Sequence, residues 1–483
     1  MQLKIALLLA ALFTGMQLPA QDRPAAIDSI ISREMNERSI PGLQIAIVQH
    51  GKIVLSKSYG TAHIQNNIPV TGNSVFPINS CTKVFTAVAV MQLVEEGKIK
   101  LSDPVAAYVD SLPAPWQEVT VAQLLTHTSG IPDILKLFDP QTGGVGALRN
   151  EGAIWAKLKT LPMDFRPGGQ FSYNQTNGYL LGKIIRKLSG QPFDEFFKEK
   201  QFRVAGMQQT VFGDSRDVIP LYAPTYHYRK NQDGRKLPKE KLEMGYHEFP
   251  EFTRTAAGLN STAEDMARWI ISLQTGKLLK NTSSLDILWS RSTLGNGTPA
   301  QWSMGWGMAK WRSKHKAIGM NGGGRNAFLV YPDDDLAVIV LTNLGGSSPE
   351  DYLEELAACY IPGIIQNDLI TLLRTNLRKT RYDNAIAVTD AAMKNNPSLN
   401  PSENELNEWA YRMMSKGQLR EALAVFRLNV HLFPNSWNVY DSYGEALLAD
   451  GKKEEALQHY RKSIALNPGN EHGKKMIAEI MGK

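Results

Sequence analysis

Cysteine is scarce in this chain of 483 residues: only Cys81 and Cys359 are present, far apart in sequence. Two are too few for a disulfide framework or a thiolate zinc cluster. Both sit in apolar, helix-like surroundings, where two buried free thiols are expected. A strong charge of one sign is also missing. Lys and Arg number 53 against 47 Asp and Glu, a formal net charge of +6. The densest basic cluster, Arg235 to Lys241, is interrupted by Pro238 and Glu240. It reads as a solvated loop and not as the concentrated stripe that binds nucleic acid. The nine histidines show no H-E-x-x-H or comparable spacing, so no metal site is expected. There is no Walker A pattern. The glycine-rich stretch Gly319–Gly324 precedes a strand-like run, whereas a phosphate cradle needs a helix after it. No cofactor is implied.

Long apolar runs are absent beyond the first twenty residues. There, Lys4 precedes the apolar Ile5–Phe13, followed by Gly15 and then Leu18-Pro19-Ala20. A cationic start, about ten apolar residues and a small residue at the break make a secretory signal, too short to span a bilayer. Residues 1–20 are therefore expected to be removed after Ala20. The mature protein is expected to be exported, periplasmic or secreted, with no transmembrane segment. No Cys lies near the cut to carry a lipid.

What is present fits a globular chain. Hydrophobic residues make up 43% and charged residues 21%, and the length suggests two or three domains. The last hundred residues differ from the rest. Gly417, Ala422, Phe426 and Pro434 recur 34 positions later as Gly451, Ala456, Tyr460 and Pro468, and Trp409-Ala410 maps onto Tyr443-Gly444. This period, with small residues at helix crossings, is the tetratricopeptide signature. Each repeat is two antiparallel helices, with Pro ending the second. Clear repeats cover 403–436 and 437–470. A degenerate copy precedes them, since Ala385 to Pro397 keeps the spacing of Ala422 to Pro434. The division expected is 21–372 for the first domain and 373–483 for an all-α repeat region. Such arrays hold peptide or protein partners, so a protein partner is expected.

The first domain reads as α+β. Leu43–Val48 and Ile53–Tyr59 are β-rich runs flanking His50-Gly51, and Ala327–Tyr331 and Leu336–Leu341 flank Pro332 to Asp335. Both pairs are hairpin signals. Helical stretches at Ile30–Arg38, Val84–Glu96, Val121–Leu125, Tyr179–Leu188 and Ala263–Leu273 lie mostly between them. The last follows the capping pair Ser261-Thr262. Strands at both ends and helices in the middle suggest one antiparallel sheet closed by the two termini, with a helical insert.

Ser80-Cys81-Thr82-Lys83 is an S-x-x-K followed by the apolar run Val84–Leu93. A Ser at a helix start puts a Lys one turn later on the same face. The helix N-terminus offers backbone N–H groups and a positive dipole where an oxyanion would form. A second copy, Ser313 to Lys316, lies in a basic stretch with no helix after it and reads as chance. Leu124-Leu125-Thr126-His127-Thr128-Ser129-Gly130 is a hydroxyl-rich turn, open to two readings: a self-satisfied loop or a direct substrate contact. Pro167-Gly168 through Phe171, Tyr173 and Gln175 leads into a helix, and Gly322-Gly323-Gly324 suggests close approach of backbone to another group.

This ordered set, with Ala257-Gly258-Leu259-Asn260-Ser261-Thr262 and the late Leu341-Thr342-Asn343, resembles the serine β-lactamase-related family. The resemblance spans residues 30 to about 350 and points to the class C-like branch of penicillin-recognising hydrolases, which also holds D,D-carboxypeptidases, D-aminopeptidases and esterases. It implies that Ser80 is the acylated nucleophile, Lys83 its base and Tyr173 the proton shuttle. It also implies an oxyanion hole from the N–H groups of Ser80 and Gly323, with Gln175, Met320, Asn321 and Gly322 lining the substrate side. A free lysine has a pKa near 10.4, and a base at neutral pH needs it lowered by about 3 units, roughly 4 kcal/mol of differential stabilisation.

Two positions depart from the family pattern. The Y-x-N motif reads Tyr173-Asn174-Gln175, where Gln keeps the amide chemistry with one more methylene. The K-T-G or H-x-G motif reads Met320-Asn321-Gly322, and Met cannot pair with a substrate carboxylate. Arg325, five residues on, is a candidate substitute cation. The expected function is an exported serine hydrolase acting through an acyl-enzyme on an ester or amide of a small molecule or peptide: an esterase, D-amino-acid peptidase or amidase, or carboxypeptidase-like enzyme. Met320 tilts it away from a dedicated β-lactamase. The alternative is a penicillin-binding-like sensing module with weak or no turnover.

Overall fold

A computed structural model describes residues 22–137, 150–228, 241–300 and 302–482. The signal segment and residues 235–240 of the basic cluster lie outside the described residues. The chain divides into two compact units: Met35–His227 with Met244–Leu353, and the described parts of Met1–Glu34, Tyr228–Glu243 and Glu354–Lys483. Among the described residues, no helix is long and apolar enough to cross a membrane.

The first unit is built on a seven-stranded antiparallel sheet. Its strands are β1 (Gly42–Gln49), β2 (Lys52–His63), β3 (Ile68–Pro69), β4 (Met308–Lys310), β5 (Ala317–Gly322), β6 (Asn326–Tyr331) and β7 (Leu336–Thr342), in spatial order β3-β2-β1-β7-β6-β5-β4. The β1–β7 pair, with Leu43 opposite Thr342 and Ile47 opposite Val338, joins the early hairpin to the late one, as the sequence predicts. Both strands are buried nearly throughout, so their apolar runs are continuous and do not alternate. The early hairpin turns on His50 and Gly51, both with positive φ, the geometry whose twist matches paired strands. Asp335, with φ 48°, turns the late one.

Helices α1 (Arg23–Arg38), α2 (Thr82–Glu95), α3 (Val121–Leu125), α4 (Gln175–Ser189) and α5 (Ala263–Gln274) fall where expected, with α1 and α4 starting earlier. Helix α2 is buried from Thr82 to Leu93. It is buried all round and mostly apolar, as a helix at the centre of a domain is. Each fully buried Val, Leu or Phe on it contributes about 1.5–3 kcal/mol. Phe85 lies tilted against Trp269 of α5 at 4.1 Å, and Trp269 stacks on Trp306 at 6.2 Å. The predicted cap of α5 is present: Thr262 Oγ1 accepts from the Asp265 N–H at 3.0 Å.

The second unit holds helices α6 (Leu369–Thr380), α7 (Ala385–Asn395), α8 (Glu403–Ser415), α9 (Leu419–Leu432), α10 (Trp437–Ala449), α11 (Lys453–Leu466) and α12 (Glu471–Ile480). The 34-residue period is visible in the packing. Ala422 and Ala456, and Phe426 and Tyr460, are all fully buried. Gly417 and Gly451 take left-handed φ after α8 and α10. The Tyr460 ring lies so close to Gly444 that an added Cβ would sit 3.3 Å from it. Helices α6 and α7 share the core of Trp409 and Phe426. In the same unit the fully buried Glu34 accepts from Arg33, Arg374 and Arg378 at 3.0, 3.4 and 2.8 Å.

Candidate active site

Ser80 sits in a single 3₁₀ turn, Asn79–Cys81, that runs directly into α2. One turn on, Lys83 points back at it, 5% exposed. Its Nζ donates to Ser80 Oγ at 3.4 Å, to Gln175 Oε1 at 3.0 Å and to the Ala256 carbonyl at 2.8 Å. Three oxygens thus surround the Lys83 nitrogen. Tyr173 comes from the loop before α4. Its hydroxyl lies 2.7 Å from Ser80 Oγ, and its ring lies 4.7 Å from Lys83 Nζ. Tyr173 is 36% exposed, so this side of Ser80 opens to solvent.

The departure at Gln175 is therefore accommodated. It is the first residue of α4, and its amide oxygen reaches Lys83. Asn174, between the two, is the helix cap: its Oδ1 accepts from the N–H groups of Thr176 and Asn177.

Gly322 ends β5 against the turn that holds Ser80. A Cβ there would lie 2.1 Å from the Ile78 carbonyl oxygen and 3.2 Å from the Cys81 nitrogen. Gly323 follows with φ 59°, and a Cβ there would lie 2.2 Å from Asn79 Nδ2. The glycines thus bring the strand end onto the residues flanking Ser80, the close approach expected of them. Asn321 is half-buried in β5, paired with Ala327 of β6.

Met320 does not reach the site. Its side chain is 1% exposed and packs in the main core with Ile318 and Phe328. Its carbonyl faces the Cys81 thiol at 3.8 Å. Met320 is thus corrected from a substrate-side residue to a core residue: alternation along β5 puts it on the inward face, and a thioether is content there. Arg325 does not line the cleft either, being 3% exposed. Cys81 and Cys359 are free and buried, as expected; burial pushes both thiols up, Cys359 to about 11. Ser313 and Lys314 of the second S-x-x-K are exposed, and a strand follows them, not a helix.

The hydroxyl-rich turn is a self-satisfied loop. Thr126, His127, Thr128 and Ser129 are all buried. Thr126 Oγ1 lies 2.9 Å from Thr128 Oγ1, and Ser129 Oγ donates to Asn177 Oδ1 at 2.7 Å. His127, with φ 56°, lies against Tyr173 with ring centroids 4.7 Å apart, and Trp302 flanks both at 4.9 and 5.2 Å. Burial, and then Lys83, holds His127 well below the usual histidine range. The ring is neutral, and its Nδ1 accepts from the Asn174 N–H at 3.1 Å. Sequence reasoning missed His127 and Trp302 as the support of Tyr173. A histidine with left-handed φ leaves no mark in composition, and Trp302 is far away in the chain. Among the described residues, no group of three or more His, Cys, Asp or Glu side chains is gathered to hold a metal ion.

Comparison with known proteins agrees with this geometry. Residues 27–360 match the β-lactamase family, and residues 437–470 match the tetratricopeptide repeat. Protein flp of Staphylococcus aureus (strain MW2) is 24% identical over 344 residues, 69% of this chain and 66% of that protein. The chain thus spans about two thirds of that relative's length. Penicillin-binding protein 4* of Bacillus subtilis (strain 168) is 28% identical over 314 residues, 62% of this chain and 67% of that protein. Among solved structures, the octameric penicillin-binding protein homologue from Pyrococcus abyssi is 26% identical with a TM-score of 0.56, covering 71% of this chain and 77% of its own. The D-amino acid amidase from Ochrobactrum anthropi SV3 shares the fold, with a TM-score of 0.57 at 21% identity over 70% of this chain and 97% of its own. With two thirds of its length matched in this way and its serine, lysine and tyrosine gathered at one helix start, the chain belongs to the β-lactamase family of serine hydrolase-like proteins and carries a C-terminal tetratricopeptide repeat.

Proposed function

We propose that this protein is an exported serine hydrolase that works through an acyl-enzyme on an ester or amide. Ser80 Oγ attacks the carbonyl while its proton passes to the Tyr173–Lys83 pair. The bond to the leaving alcohol or amine breaks as that proton is handed on to it, and water then releases the acid and restores the Ser80 hydroxyl. The observation that carries this reading is the 2.7 Å contact between Ser80 Oγ and Tyr173 OH, with Lys83 Nζ 3.4 Å from the same oxygen. The N–H groups of Ser80 and Gly323 are the oxyanion donors in this reading. Because Met320 is buried in the core and brings no cation to the cleft, the favoured substrates are simple esters, amides or D-amino-acid peptides and not β-lactams. The repeats are proposed to hold a protein partner beside this activity.

Intact-mass spectrometry of the purified mature protein tests the reading. Cleavage after Ala20 gives a chain beginning at Gln21, and a fluorophosphonate adds to wild type and not to Ser80→Ala. A penicillin adduct at Ser80 would restore carboxylate recognition and point to peptidoglycan substrates. Labelling unchanged in Ser80→Ala would remove the nucleophile assignment, and no adduct at all would turn the protein into a binding or sensing module.

A further inference from the structure

Arg325 is a buried cation for which the fold itself gives no use. It is 3% exposed, and among the described residues no carboxylate pairs with it. Its Nη1 donates to His247 Nε2 at 2.5 Å, a neutral partner, and its Nε has no hydrogen-bond partner at all. Burying a guanidinium without an anion is strongly unfavourable, and an apolar side chain of the same length would fill the space at less cost. Burial brings Arg325 down to about 10, so it stays charged at neutral pH.

Its position is specific. A Cβ added at Gly323 would lie 3.2 Å from Arg325 Nη2 and 2.2 Å from Asn79 Nδ2. The guanidinium therefore lies on the side of Gly323 where a Cβ would point, as does the side-chain amide of Asn79, the residue that precedes Ser80. The Arg325 N–H also closes the turn onto the Gly322 carbonyl at 3.1 Å. Two anions could answer this charge: a carboxylate on the substrate, or the negative oxygen formed during acyl transfer. The first would need a path to a side chain that is 3% exposed and covered by Gly323. The second would form at the N–H of Gly323, the residue the guanidinium lies against, and needs no contact with the side chain.

We propose that Arg325 is the electrostatic support of the oxyanion pocket, a positioning residue that stabilises the negative oxygen formed at the Gly323 N–H without touching the substrate. A fixed charge in a water-poor site acts on such an oxygen with little screening and without reorganising. The cation absent from the cleft at Met320 is thus placed behind the pocket. This inference rests on the hydrolase reading above.

The test is steady-state hydrolysis of a neutral ester, p-nitrophenyl acetate, by the full mature chain and its Ser80→Ala, Arg325→Met, Arg325→Gln and Arg325→Lys variants. Arg325→Met is expected to lower kcat about ten- to a hundred-fold, less than the loss of a whole oxyanion donor. KM should stay within about two-fold, and the melting temperature should be at or above that of wild type. Arg325→Lys, which keeps the charge, should recover part of kcat. Should Arg325→Met fail to fold, Arg325→Gln, neutral but still a donor to His247, gives the same reading. A kcat equal to wild type in the neutral variants overturns the inference. So does a rise in KM with kcat kept, or an equal loss in Arg325→Lys together with a lowered melting temperature. Turnover that depends on Ser80 yet is indifferent to Arg325 would sink this inference alone, whereas no Ser80-dependent turnover would sink the hydrolase reading and this inference with it.

Discussion

Ser80, Lys83 and Tyr173 are gathered within contact of one another, and each is held by a different neighbour. Lys83 has its three acceptors and Tyr173 has the His127 and Trp302 rings, while Ser80 has the start of α2. Around them lie titratable groups kept from their ordinary charge by burial. His247 is one whose effect can be measured. Burial, and then Arg325 and His227, holds it down to about 3. The folded chain therefore keeps it neutral, while the unfolded chain takes up a proton below about pH 6.5. The stability it contributes is complete above that pH and is lost as pH falls toward 3. The denaturation midpoint of wild type is expected to drop between pH 7 and pH 4.5 by more than that of His247→Gln, which keeps an acceptor for Arg325. Equal acid losses in the two proteins would remove His247 from this account.

Two backbone segments that meet at van der Waals distance set the geometry of the site: the end of β5 and the turn before α2. Gly322 is the hinge of that meeting, since any Cβ would press on the Ile78 carbonyl at 2.1 Å. Gly322→Ala is expected to push the strand end away from Ser80. It should cost about 1–3 kcal/mol of stability, the usual range for overpacking, and at least a ten-fold loss of kcat on a neutral ester. A variant with wild-type melting temperature and turnover would mean that the turn yields freely. The elements themselves were largely legible. The two hairpins, α2, α3 and α5 stand within a few residues of where the apolar pattern puts them, because continuous β-branched runs and capped apolar runs are local signals. Helix α4 starts four residues before its apolar pattern does, because its first turn, Gln175 to Gly178, is polar or glycine and its signal is the Asn174 cap.

At the scale of the whole molecule, Ser80, Lys83, Tyr173, Gln175 and Gly323 all lie in the unit of Met35–His227 and Met244–Leu353, and the 34-residue repeats lie in the other. A mature chain ending at Pro401 keeps α6, whose Arg374 and Arg378 hold Glu34, and loses both clear repeats. It is expected to hydrolyse a small ester within about two-fold of the full chain. It should also lose capture of the partner proposed for the repeats, read by cross-linking against the full-length protein. A collapse of ester turnover on truncation would make the repeats part of the hydrolase and not a separate module.

By itself the sequence determined the fold class, the repeat period and the helix that follows Ser80, and it singled out Ser80, Lys83 and Tyr173 as the residues to look for, since these rest on spacing within one element or on motifs kept in order. Tertiary structure alone decided what surrounds them. Met320 turns into the core because alternation along β5 puts it on the inward face, and the Arg325 side chain is buried beside Gly323 and His247. His127 meets Tyr173 through two loops that are adjacent only in space. Burial and charge depend on every element that packs against a residue, and no window along the chain contains all of them.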